Sequence, residues 1–146
     1  MRRLVIDTNL YIDWLNTGRY EEVLFQRNAV KYLSAVVLME LRAGALRPAD
    51  LRVLDRLQGA FEGAGRVLAP SRAVFVEAGD TLRRLYAQGY GRQAGPSIVG
   101  DVLIALSARS IGATVVTRNE RDYRAIAKVR PFRLSVVPRP RPMARP

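Results

Sequence analysis

Leu4-Val5-Ile6-Asp7-Thr8-Asn9 sets three bulky apolar residues directly before a carboxylate. A continuously apolar run of this kind reads as a strand covered on both faces, the usual condition of a parallel strand. Asp7 and Asn9 favour a turn, so the strand should finish there. Thr114-Val115-Val116-Thr117 is a second buried run, and Tyr32-Leu33-Ser34-Ala35, Val67-Leu68 and Leu134-Ser135-Val136-Val137 are shorter candidates. Helical patterns separate them. One begins near Leu10, and others cover Val37 to Leu46, residues 50 to 62, residues 72 to 88, Ser97 to about Ser110, and Asp122 to Ala127. Gly63, Gly65 and Gly112 stand where helices should stop. The alternation predicts an α/β fold with a mainly parallel sheet. Ligands of such sheets bind beyond the carboxyl ends of the strands, where Asp7 and Thr117 should lie.

The bulk composition narrows the chemistry. A chain of 146 residues, 49% hydrophobic, suits one domain. Residues 1–137 form it, and residues 138–146, Pro-Arg-Pro-Arg-Pro-Met-Ala-Arg-Pro, read as an extended basic tail. Cysteine and histidine are both absent, which excludes disulfides, Ser-His catalysis and the usual zinc sites. The net charge is +11, from 24 basic against 13 acidic residues, and Lys31 and Lys128 are the only lysines. Arginine in this excess fits a polyanion such as nucleic acid, through bidentate phosphate contacts and stacking on bases. Genome composition, a hot habitat or an acidic protein partner would explain the same excess. No segment has the length of a membrane span, and Asp7 interrupts any signal-like apolar stretch, so the expectation is a soluble cytoplasmic protein.

With so few acids, their placement is informative. Asp7 follows Leu4-Val5-Ile6, Glu40 sits in Leu38-Met39-Glu40-Leu41, Asp101 precedes Val102-Leu103-Ile104, and Asp122 follows Thr117 by five residues. A carboxylate withdrawn from water without a partner is costly. Several at the edges of core elements point to a shared cation, and hard carboxylate oxygens suit Mg²⁺ or Mn²⁺. Each acid also has an ordinary explanation. Asp7 would serve a turn, Glu40 would pair with Arg42, and Asp101 would favour the first turn of a helix. Asn119 would cap a helix, with Asp122 in the capping-box position.

Taken in order, Asp7-Thr8-Asn9, Glu40, the run Asp101-Val102-Leu103-Ile104-Ala105-Leu106-Ser107-Ala108, and Thr117-Arg118-Asn119-Glu120-Arg121-Asp122-Tyr123 resemble the PIN domain. More closely they resemble the VapC-type toxins of toxin–antitoxin pairs, from residue 4 to about residue 137. The resemblance implies a three-layer α/β/α sandwich and a Mg²⁺- or Mn²⁺-dependent endoribonuclease. It makes Asp7, Glu40, Asp101, Asn119 and Asp122 the catalytic set. Asp7 and Asp101 would be direct metal ligands, and Glu40 and Asp122 would act as ligands through water or orient the nucleophile. An acid often occupies the place of Asn119, which shifts the fourth carboxylate to Asp122. The resemblance also implies an RNA substrate, a cognate antitoxin and a homodimer. Arg92, Arg118, Arg139 and Arg141 are candidates for RNA phosphates. The alternatives are an RNA-processing PIN nuclease without an antitoxin and a catalytically silent RNA-binding module.

Overall fold

The computed structural model describes residues 1–91 and 97–138. Five strands, β1 (Arg2–Ile6), β2 (Ala29–Ser34), β3 (Val67–Leu68), β4 (Thr114–Thr117) and β5 (Arg133–Val136), form one sheet in the order β3-β2-β1-β4-β5. Every pairing is parallel. The helices are α1 (Thr8–Thr17), α2 (Glu21–Phe25), α3 (Ala35–Gly44), α4 (Pro48–Gly63), α5 (Arg72–Ala87), α6 (Ser97–Ser110) and α7 (Glu120–Val129). They cover the sheet in a three-layer α/β/α sandwich. Leu4, Val5 and Ile6 of β1, Leu33 of β2 and Val115 and Val116 of β4 are buried beside Leu54, Ile104, Tyr123 and Ile126 from the helices. The continuous apolar runs are thus explained by helices on both faces. Among the described residues, no helix is long and apolar enough to cross a membrane.

Strand order sets the position of the site. The chain builds outward from β1 through β2 to β3, then returns to the other side of β1 for β4 and β5. The reversal leaves a crevice between the carboxyl ends of β1 and β4. Register carries Ile6 opposite Val116, and the Asp7 amide donates to the Val116 carbonyl at 2.9 Å. Asp7 and Thr117 therefore emerge together from paired strands.

Several boundaries differ from expectation, and at the starts of α3 and α1 the reason is a capping side chain. Ala35 opens α3 instead of ending β2: Ser34 Oγ accepts from the Val36 and Val37 amides at 3.1 and 3.3 Å, satisfying donors that the first turn leaves free. Asp7 caps α1, which starts at Thr8 and not at Leu10; its Oδ1 accepts from the Thr8 amide at 2.8 Å. Pro48 opens α4, a favourable first position because proline has no amide to satisfy. The single turn α2 had no counterpart in the sequence reading. It follows Gly18, whose φ of 73° closes α1, and it docks Phe25 edge-on against Trp14 at 5.2 Å. The expected tail beyond Pro138 lies outside the described residues.

Candidate metal centre

Thr117 organises the crevice. Its hydroxyl donates to Asp7 Oδ2 at 2.6 Å and accepts from the Asn119 amide at 2.9 Å and from Asn9 Nδ2 at 3.3 Å. Asn9 Oδ1 in turn accepts from the Arg118 amide at 3.5 Å. Both Asp7 oxygens are thereby held, and the loop after β4 is tied to the first turn of α1. Asp7 is buried, at 4% exposure, as is Asp101 at 8%.

Asp101 is the fifth residue of α6, and α6 has no acid in its first turn. The helix-dipole explanation for its position therefore fails. Asn119 caps α7, accepting from the Asp122 amide at 3.2 Å. A reciprocal capping box is not made, because the Asn119 amide is taken by Thr117. The Asn119 side-chain amide instead donates to Asp122 Oδ2 at 3.0 Å and reaches Asp101 Oδ2 at 3.5 Å. An N–H donor thus stands between two carboxylates. The Tyr90 hydroxyl donates to the other Asp122 oxygen.

Glu40 approaches from α3. Arg42, its expected partner, pairs with Asp55 at 2.9 Å. Glu40 Oε1 is buried without a hydrogen-bond partner, as is the hydroxyl of Thr8. Gly100 permits the approach: a Cβ there would stand 3.0 Å from Glu40 Oε1 and 3.7 Å from Val36 Cγ1.

The four acids meet as an electrostatic cluster. Burial raises the Asp101 pKa to about 8, helped by the charges of Asp7, Asp122 and Glu40 and opposed by the Tyr123 hydroxyl. Burial also raises Glu40, with the Asp7 charge adding to the effect and Thr8 opposing it. Asp7 is raised by burial against the hydrogen bonds from Thr117 and Thr8. The charge of Arg118 gives Asp7 little relief. Its guanidinium pairs with Asp13 at 3.0 Å.

Oxygen donors, an orphaned buried carboxylate oxygen and mutually raised acids fit a hard divalent cation. Among the described residues, however, no group of three or more acids stands ready-made to hold one. The Asn119 amide stands between Asp101 and Asp122. Sequence reading did not single out Tyr90, Tyr123 or Asp13. In the sequence Tyr90 stands in a glycine-rich loop and Tyr123 only follows Asp122, and the Asp13–Arg118 pair spans elements distant in sequence. Arg92 lies outside the described residues, as do Arg139 and Arg141.

The sequence profile of the PIN domain matches residues 4–129. The chain belongs to the PIN domain family. Several solved structures share the fold of this PIN domain. DNA-bound VapBC from Salmonella typhimurium is 26% identical, with a TM-score of 0.66 over 93% of this chain and 98% of that one. VapBC-1 from nontypeable Haemophilus influenzae is 22% identical, with a TM-score of 0.68 over 92% and 97%. VapBC-5 from Mycobacterium tuberculosis, a member of the VapBC family of toxin–antitoxin systems, is 20% identical, with a TM-score of 0.60 over 94% and 100%. No curated protein matches the sequence.

Proposed function

We propose that this PIN domain is a Mg²⁺- or Mn²⁺-dependent endoribonuclease, the toxin of a VapBC-type pair acting in the cytoplasm. The observation that carries the reading is the convergence of Asp7, Glu40, Asp101 and Asp122 in the β1–β4 crevice, with Asp7 and Asp101 buried and Glu40 and Asp122 half-buried. Asp7 and Asp101 would hold the cation directly, and Glu40 and Asp122 would reach it through water. A bound divalent ion supplies charge neutralisation at the phosphodiester and lowers the pKa of a water.

The chain's own residues set the rest. Thr117 and the Thr8 amide fix the Asp7 carboxylate, Tyr90 and Asn119 fix Asp122, and Gly100 lets Glu40 enter. With no histidine in the chain, a carboxylate of the cluster is a candidate to accept the proton from the attacking water. The net charge of +11 draws in a polyanion. Arg118 and Arg92 are the proposed phosphate contacts, Arg118 exchanging Asp13 for the backbone. The VapBC likeness supports a cognate antitoxin that restrains cleavage, and a second copy of the chain in a homodimer is the other proposed partner.

The test is cleavage of an end-labelled single-stranded RNA by the purified protein in Mg²⁺ or Mn²⁺, beside EDTA and the Asp7→Asn protein. Cleavage lost in both controls supports the reading. RNA binding that ignores the metal, with no cleavage of any cellular RNA, replaces it with a silent binding module.

A further inference from the structure

Tyr123 is fully buried on α7, one residue beyond Asp122, with its ring packed edge-on against Phe132 at 6.2 Å. Its hydroxyl makes no hydrogen bond of good geometry among the described residues. Asp7 and Asp101 nevertheless both sense that hydroxyl, and Glu40 lies close enough for its charge to act on it. A phenol with no partner is an expensive occupant of a core, since burying a polar group unpaired costs stability that a phenylalanine ring would not. The contact with Phe132 asks only for the ring. The groups that act on the hydroxyl are the carboxylates of Asp7, Asp101 and Glu40.

We infer that Tyr123 is a positioning residue for the cation site, its hydroxyl standing beneath Asp7 and Asp101 to donate a hydrogen bond to these carboxylates once a divalent ion draws them together. The inference rests on the metal-dependent reading above and adds a determinant to it. Asp7 already has one oxygen on the Thr8 amide and the other on Thr117, whereas among the described residues Asp101 has only the long contact to Asn119. Asp101 is therefore the carboxylate with spare acceptor capacity for the phenol. A donor fixed by a rigid core can hold a ligand's orientation without touching the substrate, as partners of metal ligands commonly do. The metal-free protein bears the cost of the idle hydroxyl, and the metal-bound protein recovers it.

The experiment titrates Mn²⁺ into the full chain, reading free ion by electron paramagnetic resonance, for the wild type, Tyr123→Phe and Phe132→Leu. Melting is followed in parallel in EDTA. Tyr123→Phe should weaken Mn²⁺ binding about tenfold, the worth of one hydrogen bond to a charged group. Its metal-free melting temperature should equal or exceed that of the wild type. Phe132→Leu should lower the melting temperature and leave Mn²⁺ affinity unchanged, which separates ring packing from the hydroxyl. Equal Mn²⁺ affinity in the wild type and Tyr123→Phe overturns the inference, and so does an equal loss of affinity in Phe132→Leu. A wild type that binds no Mn²⁺ overturns the metal reading itself, and the role of Tyr123 with it.

Discussion

Replacing Asp101 by asparagine should stabilise the metal-free protein while removing its activity. Asp101 titrates at about 8 in the folded chain against an ordinary 3.8. Between those values the folded state binds the proton more tightly than the unfolded state, so stability is greatest below the lower value and falls as pH rises towards the upper one. The loss is about 1.4 kcal/mol for each pH unit in that window, which sets a ceiling of about 4 kcal/mol at pH 7. Relaxation of the site and water entry should leave about 2 kcal/mol, because effective dielectric constants at buried sites exceed those of a dry interior. Asparagine keeps the shape and cannot ionise, so it escapes the loss. For a chain of 146 residues that amounts to roughly 4–8 °C in melting temperature.

The assay is thermal unfolding of both proteins in EDTA across pH 4 to 8. The two curves should approach each other in acid and separate as pH rises, with Asp101→Asn the more stable. Mg²⁺ should then raise the melting temperature of the wild type and leave the variant unmoved. A variant less stable than the wild type at pH 7, or a difference that does not grow with pH, would refute the electrostatic reasoning.

Two further substitutions probe the neighbours. Gly100→Ala places a Cβ 3.0 Å from Glu40 Oε1. It should cut cleavage about tenfold by moving that carboxylate, while thermal unfolding shows no loss, since alanine favours the helix by up to about 1 kcal/mol. Thr117→Val leaves Asp7 Oδ2, the Asn119 amide and Asn9 Nδ2 without their shared partner. Urea unfolding should register a loss of about 2–3 kcal/mol, with cleavage strongly reduced; stability equal to the wild type would show that the hub is dispensable.

The layers of the fold were legible because each central strand is a short, unbroken apolar run, and a strand buried on both faces has no alternation to hide it. The candidate acids drew notice for a related reason: a carboxylate beside or within an apolar segment stands out in a chain with only 13 acids. What escaped depended on three-dimensional register. The sequence places Thr117 at a strand end beside Asp7, but its part as a shared partner of Asp7, Asn119 and Asn9 emerges only when β1 and β4 pair, bringing it to Asp7, 110 residues earlier. The start of α3 shifted because Ser34 is both the last strand residue and a cap, and local pattern cannot assign one residue two duties. A single helical turn such as α2 is too short for a periodic signal. Tyr123 looks like any core aromatic until its hydroxyl is seen to face acids from three other elements. Gly100 looks like a helix defect until Glu40 is found against it.

The most direct test of the central claim, that these carboxylates share a divalent cation, is anomalous diffraction from crystals of the protein soaked in Mn²⁺. The account predicts one or two peaks in the β1–β4 crevice, at least one within about 2–2.5 Å of both an Asp7 and an Asp101 oxygen, with Glu40 and Asp122 turned towards it. A protein that cleaves RNA in Mn²⁺ but shows its anomalous peak elsewhere, or none in this crevice, would contradict it.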